Sequence, residues 1–207
     1  MEFQNNTLDL STHTFLDFDT DGGKISVNVS NKQIQLAHSD LSFGKGTFEM
    51  NVSHIFSSVS HISGSYYGRN WKLNIEQYIL PYSTTMNLKG FKQGDYVYID
   101  GKGLIHRFVK YDTNQYYDDS GNNVILDTSQ NIKIMRFPDD SFLSFDSNGK
   151  LIEFTTKGRT RDIIKRITYD SNGRIEKYFD IRCPGKKERY VKFEYEGSLL
   201  KRMYLFY

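Results

Sequence analysis

Asp17, Asp19 and Asp21 alternate ahead of Gly22 and Gly23. Alternating carboxylates before a glycine could wrap a calcium ion, as in loops of the D-x-D-x-D-G kind. Such a loop closes on a bidentate glutamate at its twelfth position, and here Asn28 stands there. With that anchor missing, a solvated Asp-Gly turn is the better reading. The histidines are His13, His38, His54, His61 and His106. None has the spacing to cysteine or carboxylate that zinc sites show, and the pair His54 and His61 reads as two residues flanking a loop. Ser60 to Ser65, SHISGS, holds serine, histidine and glycine but no G-x-S-x-G elbow, and no phosphate-cradling Walker loop occurs. Cys183 precedes Pro184 and Gly185, without a neighbouring histidine or helix start to stabilise a thiolate. Trp71 could stack on a sugar, yet it heads the alternating run Trp71, Leu73, Ile75, which favours packing. No catalytic residue, cofactor or metal is therefore expected.

The elements that carry these residues read as strands. Aromatic residues make up 15% of the 207, with 15 Tyr and 15 Phe, a composition that suits a pleated, half-buried surface. Apolar residues recur at every second position: Ile25, Val27 and Val29; Ile34 and Leu36; Phe48, Met50 and Val52; then Trp71, Leu73 and Ile75. Further apolar runs lie at 96–99, 104–108, 124–126, 132–134 and 142–145. Alternation over such short spans marks strands. Turn signals separate them: DGG at 21–23, DGKG at 100–103, DDSG at 118–121, and DSNG at 146–149 and 170–173. The best helix candidate, NIEQYIL from Asn74 to Leu80, alternates as well as it spirals. The expected fold is all-β, mainly antiparallel, built from stacked β-hairpins that form a wide curved sheet.

Charge excludes little. The formal net charge is +2, which by itself points to neither nucleic acid nor membrane. From Lys157 to Tyr207 there are 14 Lys and Arg against 7 Asp and Glu. Alternation puts these charges on the solvent face of a sheet, where lysine and arginine also protect edge strands from pairing. Nucleic acid is not an expected partner. The single cysteine excludes an internal disulfide. No run approaches the ~20 apolar residues of a membrane-spanning helix, and the polar start MEFQNNTLDLSTHTF does not read as a signal peptide.

Gly149, Gly173 and Gly197 stand 24 residues apart. Around them run FDSNGKLI, YDSNGRIE and YEGSLL, with weaker copies at YIDGKGLI from Tyr98 and at Tyr117 to Gly121. A fixed period above twenty residues marks repeated supersecondary units. In each, an aromatic (Phe145, Tyr169) ends the incoming strand. An aspartate (Asp146, Asp170) caps turn amides. Asn148-Gly149 or Asn172-Gly173 supplies positive φ, and Lys150 or Arg174 leads the outgoing strand. One hairpin alone is marginal, so units must stack. The structural residues singled out are Phe145, Asp146, Asn148, Gly149, Tyr169, Asp170, Asn172, Gly173 and Gly197.

At these residues the chain resembles the Rhs, or YD-repeat, proteins, named for a dipeptide present here as Tyr169-Asp170. GTFEMNVSHIFSS (Gly46 to Ser58) is similar to the segment of those proteins where a strand meets a YNS-like turn. GRNWKLNIEQYIL (Gly68 to Leu80) resembles their GxGWxLxxEQ segment, and DYVYIDGKGLIHRFVK (Asp95 to Lys110) their YIDGDGxxHxF segment. QYYDDSGNNVIL and DDSFLSFDSNGKLIEF follow in the family's order. The resemblance covers roughly residues 40 to 207 and matches the start of such a protein, ahead of its long repeat array. It implies an extracellular or cell-surface bacterial protein, whose repeats wind into a β-shell that can enclose a toxin, or that serves wall association or cell contact. About three repeats are too few to close a shell, and the family's self-cleaving aspartate motif is absent. The chain is therefore expected to be an excised fragment or a truncated relative of such a protein, and, without catalytic motifs, a non-enzymatic structural and interaction module. Its expected partner is another protein or the rest of a larger shell. A cell-surface carbohydrate-binding module is the alternative. The expected divisions are an N-terminal arm with first strands (1–40), an Rhs-like β region (41–140) and YD-type hairpins (141–207).

Overall fold

A computed structural model describes residues 15–29, 32–44, 49–58, 66–158, 162–181 and 189–206. Among these there is no α-helix, only a short 3-10 turn at Thr84–Met86. The fold is all-β and antiparallel, as expected. The first sheet orders β1 (Phe15–Thr20), β2 (Gly23–Asn28), β3 (Ile34–Phe43), β4 (Met50–Ser57) and β5 (Trp71–Leu73). The second has twelve strands. They are β6 (Tyr78–Pro81), β7 (Tyr96–Ile99), β8 (Ile105–Lys110), β9 (Gln115–Asp118), β10 (Ile125–Asp127) and β11 (Lys133–Arg136), followed by β12 (Phe142–Phe145), β13 (Leu151–Thr156), β14 (Ile163–Tyr169), β15 (Ile175–Ile181), β16 (Arg189–Glu196) and β17 (Leu199–Phe206). Within each sheet every strand pairs with its neighbour in sequence. Most connections are short, and tight turns return the chain antiparallel beside itself.

The second sheet curls back on itself. Tyr78 of β6 bridges Lys150, at the turn between β12 and β13. Ile79 N donates to Gly149 O (2.8 Å) and Leu151 N donates to Gln77 O (3.0 Å). The curl wraps one apolar interior that both sheets share: Met50, Val52 and Leu73 from the first, with Ile79, Phe108, Leu126, Phe145 and Ile175 from the second. A smaller cluster of Phe91, Val97 and Ile99 lies apart from it.

Several expectations need correction. Val29 and Ile34 are exposed (55% and 43%), while Asn28, Gln33 and Gln35 are buried. This hairpin turns its hydrogen-bonding residues inward: Gln33 Nε2 donates to Ser57 Oγ (2.9 Å) and Gln35 Nε2 to Lys102 O (3.1 Å). Satisfied amides can replace apolar side chains at a buried face. NIEQYIL is a turn followed by β6. Asn74 starts it: its Oδ1 accepts Ser53 N (2.9 Å) and its own N donates to Ser53 O (2.9 Å). Phe48, expected beside Met50, lies outside the described residues. No helix among the described residues is long and apolar enough to cross a membrane.

Candidate functional site

The repeated turns share one construction. In the first DSNG unit, Asp146 N donates to Lys150 O (2.8 Å) and Gly149 N to Asp146 O (3.0 Å), while Asp146 Oδ1 accepts Lys150 N (2.8 Å). In the second, Asp170 N donates to Arg174 O (2.8 Å) and Gly173 N to Asp170 O (2.9 Å). Its Oδ1 accepts both Asn172 N and Arg174 N at 2.9 Å. Asp100 repeats the pattern, accepting Lys102 N (2.9 Å) and Leu104 N (2.8 Å). Gly103, Gly149 and Gly173 hold φ of 80°, 83° and 76°.

Only the glycine carries the positive φ; Asn148 and Asn172 do not. The loop is longer than a two-residue Asn-Gly turn, and the register shifts by a bulge where each outgoing strand resumes, opposite Phe145 and opposite Tyr169. Gly197 keeps the spacing but not the turn. Glu196 pairs with Leu199 across a two-residue loop, and Glu196 binds Lys201 (2.7 Å) in place of turn amides.

The structure adds a contact that the sequence reading did not assign. Lys150 Nζ donates to Gly173 O (2.7 Å) and lies 5.0 Å over the Tyr169 ring. Arg174 Nη1 donates to Gly197 O (2.8 Å) and lies 4.5 Å over the Tyr195 ring. In return, Tyr169 Oη donates to Leu151 O (2.6 Å) and Tyr195 Oη to Ile175 O (2.9 Å). Each unit thus reaches the next through the cation after its glycine, and the next reaches back through its tyrosine. The signal was present as a basic residue after the glycine in both DSNG units. Phe145, without a hydroxyl, is fully buried.

Electrostatics favour these contacts. Burial pushes the Tyr169 phenol far above its ordinary value, and that of Tyr195 up to about 12. Both therefore remain donors. Burial works against the Asp170 charge, but the hydrogen bonds from Arg174 and Asn172 outweigh it and hold the carboxyl below its usual value. Beside the stack lies a buried polar group. Glu76 accepts Tyr78 Oη (3.1 Å) and Leu73 N (3.3 Å), and burial raises its carboxyl. Buried Lys72 donates to Asp100 O, and burial lowers its ammonium to about 8.

The residues first considered for chemistry are placed as follows. Asp17 and Asp19 sit in β1, not in a loop, and Asp17 is held by Lys24 (2.5 Å) and Ser26 (2.7 Å). Trp71 is half-buried, packed on Phe56 (5.4 Å between centroids) and His54 (6.3 Å). Asp40 joins two histidines: His38 Nδ1 at 3.1 Å and His54 Nδ1 at 2.5 Å. His54 lines a cavity of about 320 Å³ with Tyr66, Tyr67, Gly68 and Leu199 to Met203. Among the described residues, no serine, threonine or cysteine lines it, and no group of three or more His, Cys, Asp or Glu could hold a metal. His13, His61, Ser60 to Ser65 and Cys183 lie outside the described residues.

The chain matches no protein-family model and none of the curated proteins. The site therefore stands on its own geometry.

Proposed function

We propose that this chain is a non-enzymatic structural and interaction module, similar to a section of a YD-repeat β-shell. It stacks hairpins and offers its last strand, β17, to a further strand of a protein neighbour. Its setting is the bacterial surface or a toxin-bearing shell, outside the cell. The observation that carries this reading is the recurrence, 24 residues apart, of the same interlocking contact: Lys150 with Gly173 and Tyr169, Arg174 with Gly197 and Tyr195. A device that repeats at the period of the unit serves stacking. The outer edge of β17 has no strand beside it among the described residues, and an unpaired edge is a template for another strand.

Amide hydrogen exchange tests the reading. The β17 amides bonded neither to β16 nor, as Leu200 N is, to Tyr66 O should exchange fast while β15 and β16 stay protected. Uniform protection through β17 at a dilution where the chain is monomeric would mean a closed edge and would overturn it.

A carbohydrate-binding role is the second reading. The cavity beside Tyr66, Tyr67 and His54, of about 320 Å³, is within the size range of small-ligand sites. Saturable binding on a glycan array that is lost in Tyr66→Ala would favour it.

A further inference from the structure

The two sheets end in edges of opposite character. Among the described residues, β1 and β5 are the outer strands of the first sheet and β17 and β6 those of the second, with β6 met by the turn between β12 and β13. Among the described residues, the outer edge of β17 is met once, where Leu200 N donates to Tyr66 O (2.9 Å). The β1–β2 hairpin carries Asp17, Asp19 and Asp21 against Lys24, whereas β17 carries Lys201 and Arg202 and no acid. Both edges also expose large apolar side chains: Leu16 (54%) and Phe18 (53%) on β1, Leu199 (54%) and Phe206 (41%) on β17.

The faces agree as well. Successive side chains of a strand point to opposite sides. On β1, Asp17 and Asp19 share one face and Leu16 and Phe18 the other. On β17, Arg202 and Tyr204 share one face, joined by a hydrogen bond from Nη1 (3.3 Å). Met203 and Leu205 occupy the other and pack against the common core. A β1 strand laid along β17 sets acid on base on one face, the face that also carries the exposed Leu199 and Phe206.

We propose that β1 of a second copy of this chain adds to β17, so that copies join head to tail. This rests on the reading that the β17 edge is open, and it names the partner. The pairing is heterologous: each copy presents one edge of each kind, so the contact does not end at a dimer but continues into rings or filaments. Its charged part weakens with salt, because exposed charges are screened over about 10 Å at 0.1 M.

The test is solution mass by light scattering, from micromolar to millimolar chain and at low and high salt. The wild type should rise past a dimer with concentration and fall back towards 24.2 kDa in high salt. Lys201→Glu with Arg202→Glu should stay monomeric, and so should Asp17→Lys with Asp19→Lys. Mixing the two should restore association, since each then offers the charge the other lacks. If a double variant does not fold, Arg202→Glu and Asp19→Lys serve singly, and the salt series needs no variant.

A wild type of 24.2 kDa throughout overturns the proposal. If its β17 amides still exchange fast, the edge is open and only this partner is wrong. If they are protected, the proposed function fails with it. A limit at the dimer, blocked by the β17 variant but not by the β1 variant, would mean β17 pairs with itself, and would also overturn the head-to-tail contact.

Discussion

Gly149→Ala should destabilise the protein well beyond the cost of its backbone conformation. A Cβ at Gly149 would sit 2.0 Å from Ile79 O and 3.0 Å from Ile79 C. Both are backbone atoms of the strand that closes the curl, so they cannot swing aside as a side chain would. Gly90 is the control: its φ is +87° against +83°, with nothing within 4 Å of its Cβ. Left-handed backbone costs a non-glycine residue roughly 1–2 kcal/mol, and this applies at both positions. Relief of the clash at Gly149 must also separate Ile79 N from Gly149 O and Leu151 N from Gln77 O. Hydrogen bonds of this kind contribute about 0.5–1.5 kcal/mol each, more when a buried group is left unpaired. The expected difference between the variants is about 2–3 kcal/mol. For a chain of this size that is roughly 4–12 °C in Tm. Thermal melts followed by circular dichroism measure it. Equal melts for Gly149→Ala and Gly90→Ala would refute the closed curl.

Four further outcomes are expected. Lys150→Met should lose about 1–3 kcal/mol, from the charged hydrogen bond to Gly173 O and the contact with Tyr169. Lys192→Met breaks an exposed pair with Glu194 and should leave the urea midpoint close to that of the wild type. Because the Asp170 carboxyl is lowered in the folded state, its contribution is present above the ordinary aspartate value of about 3.9 and is lost as pH falls through the folded value. Asp170→Asn should therefore flatten the acid limb of stability against pH, and an unchanged limb would contradict the capping role. The Lys72 ammonium, lowered to about 8, makes the unfolded chain bind more protons between about 8 and the ordinary lysine value near 10.4. Stability should rise across that window on its account, and Lys72→Met should remove that part of the rise.

The repeat was legible because its determinants are local. Asp-x-x-Gly fixes a turn through bonds within five residues, so the roles of Asp146, Gly149, Asp170 and Gly173 could be read in order along the chain. What lay beyond reading was set by contacts distant in sequence. Ile79 meets Gly149 only because the sheet curls, and no pattern in either segment records that meeting. Lys150 and Arg174 appeared as charges leading a strand, and their partners lie a full unit away. The first hairpin misled for a related reason. Alternation located β2 and β3 but could not say that Gln33 and Gln35 find partners inside, which leaves Val29 and Ile34 exposed. The Asp40–His54 contact was illegible because it joins two strands across a bulge between Ser39 and Leu41.

The central claim is that successive units are held to each other across their turns. A double-mutant cycle between Arg174→Met and Tyr195→Leu, read in equilibrium unfolding, tests it most directly. The Arg174 guanidinium lies 4.5 Å over the Tyr195 ring and its side chain is only 18% exposed. The expected coupling is about 0.5–2 kcal/mol. Losses that simply add, within about 0.3 kcal/mol, would mean the two units only lie side by side.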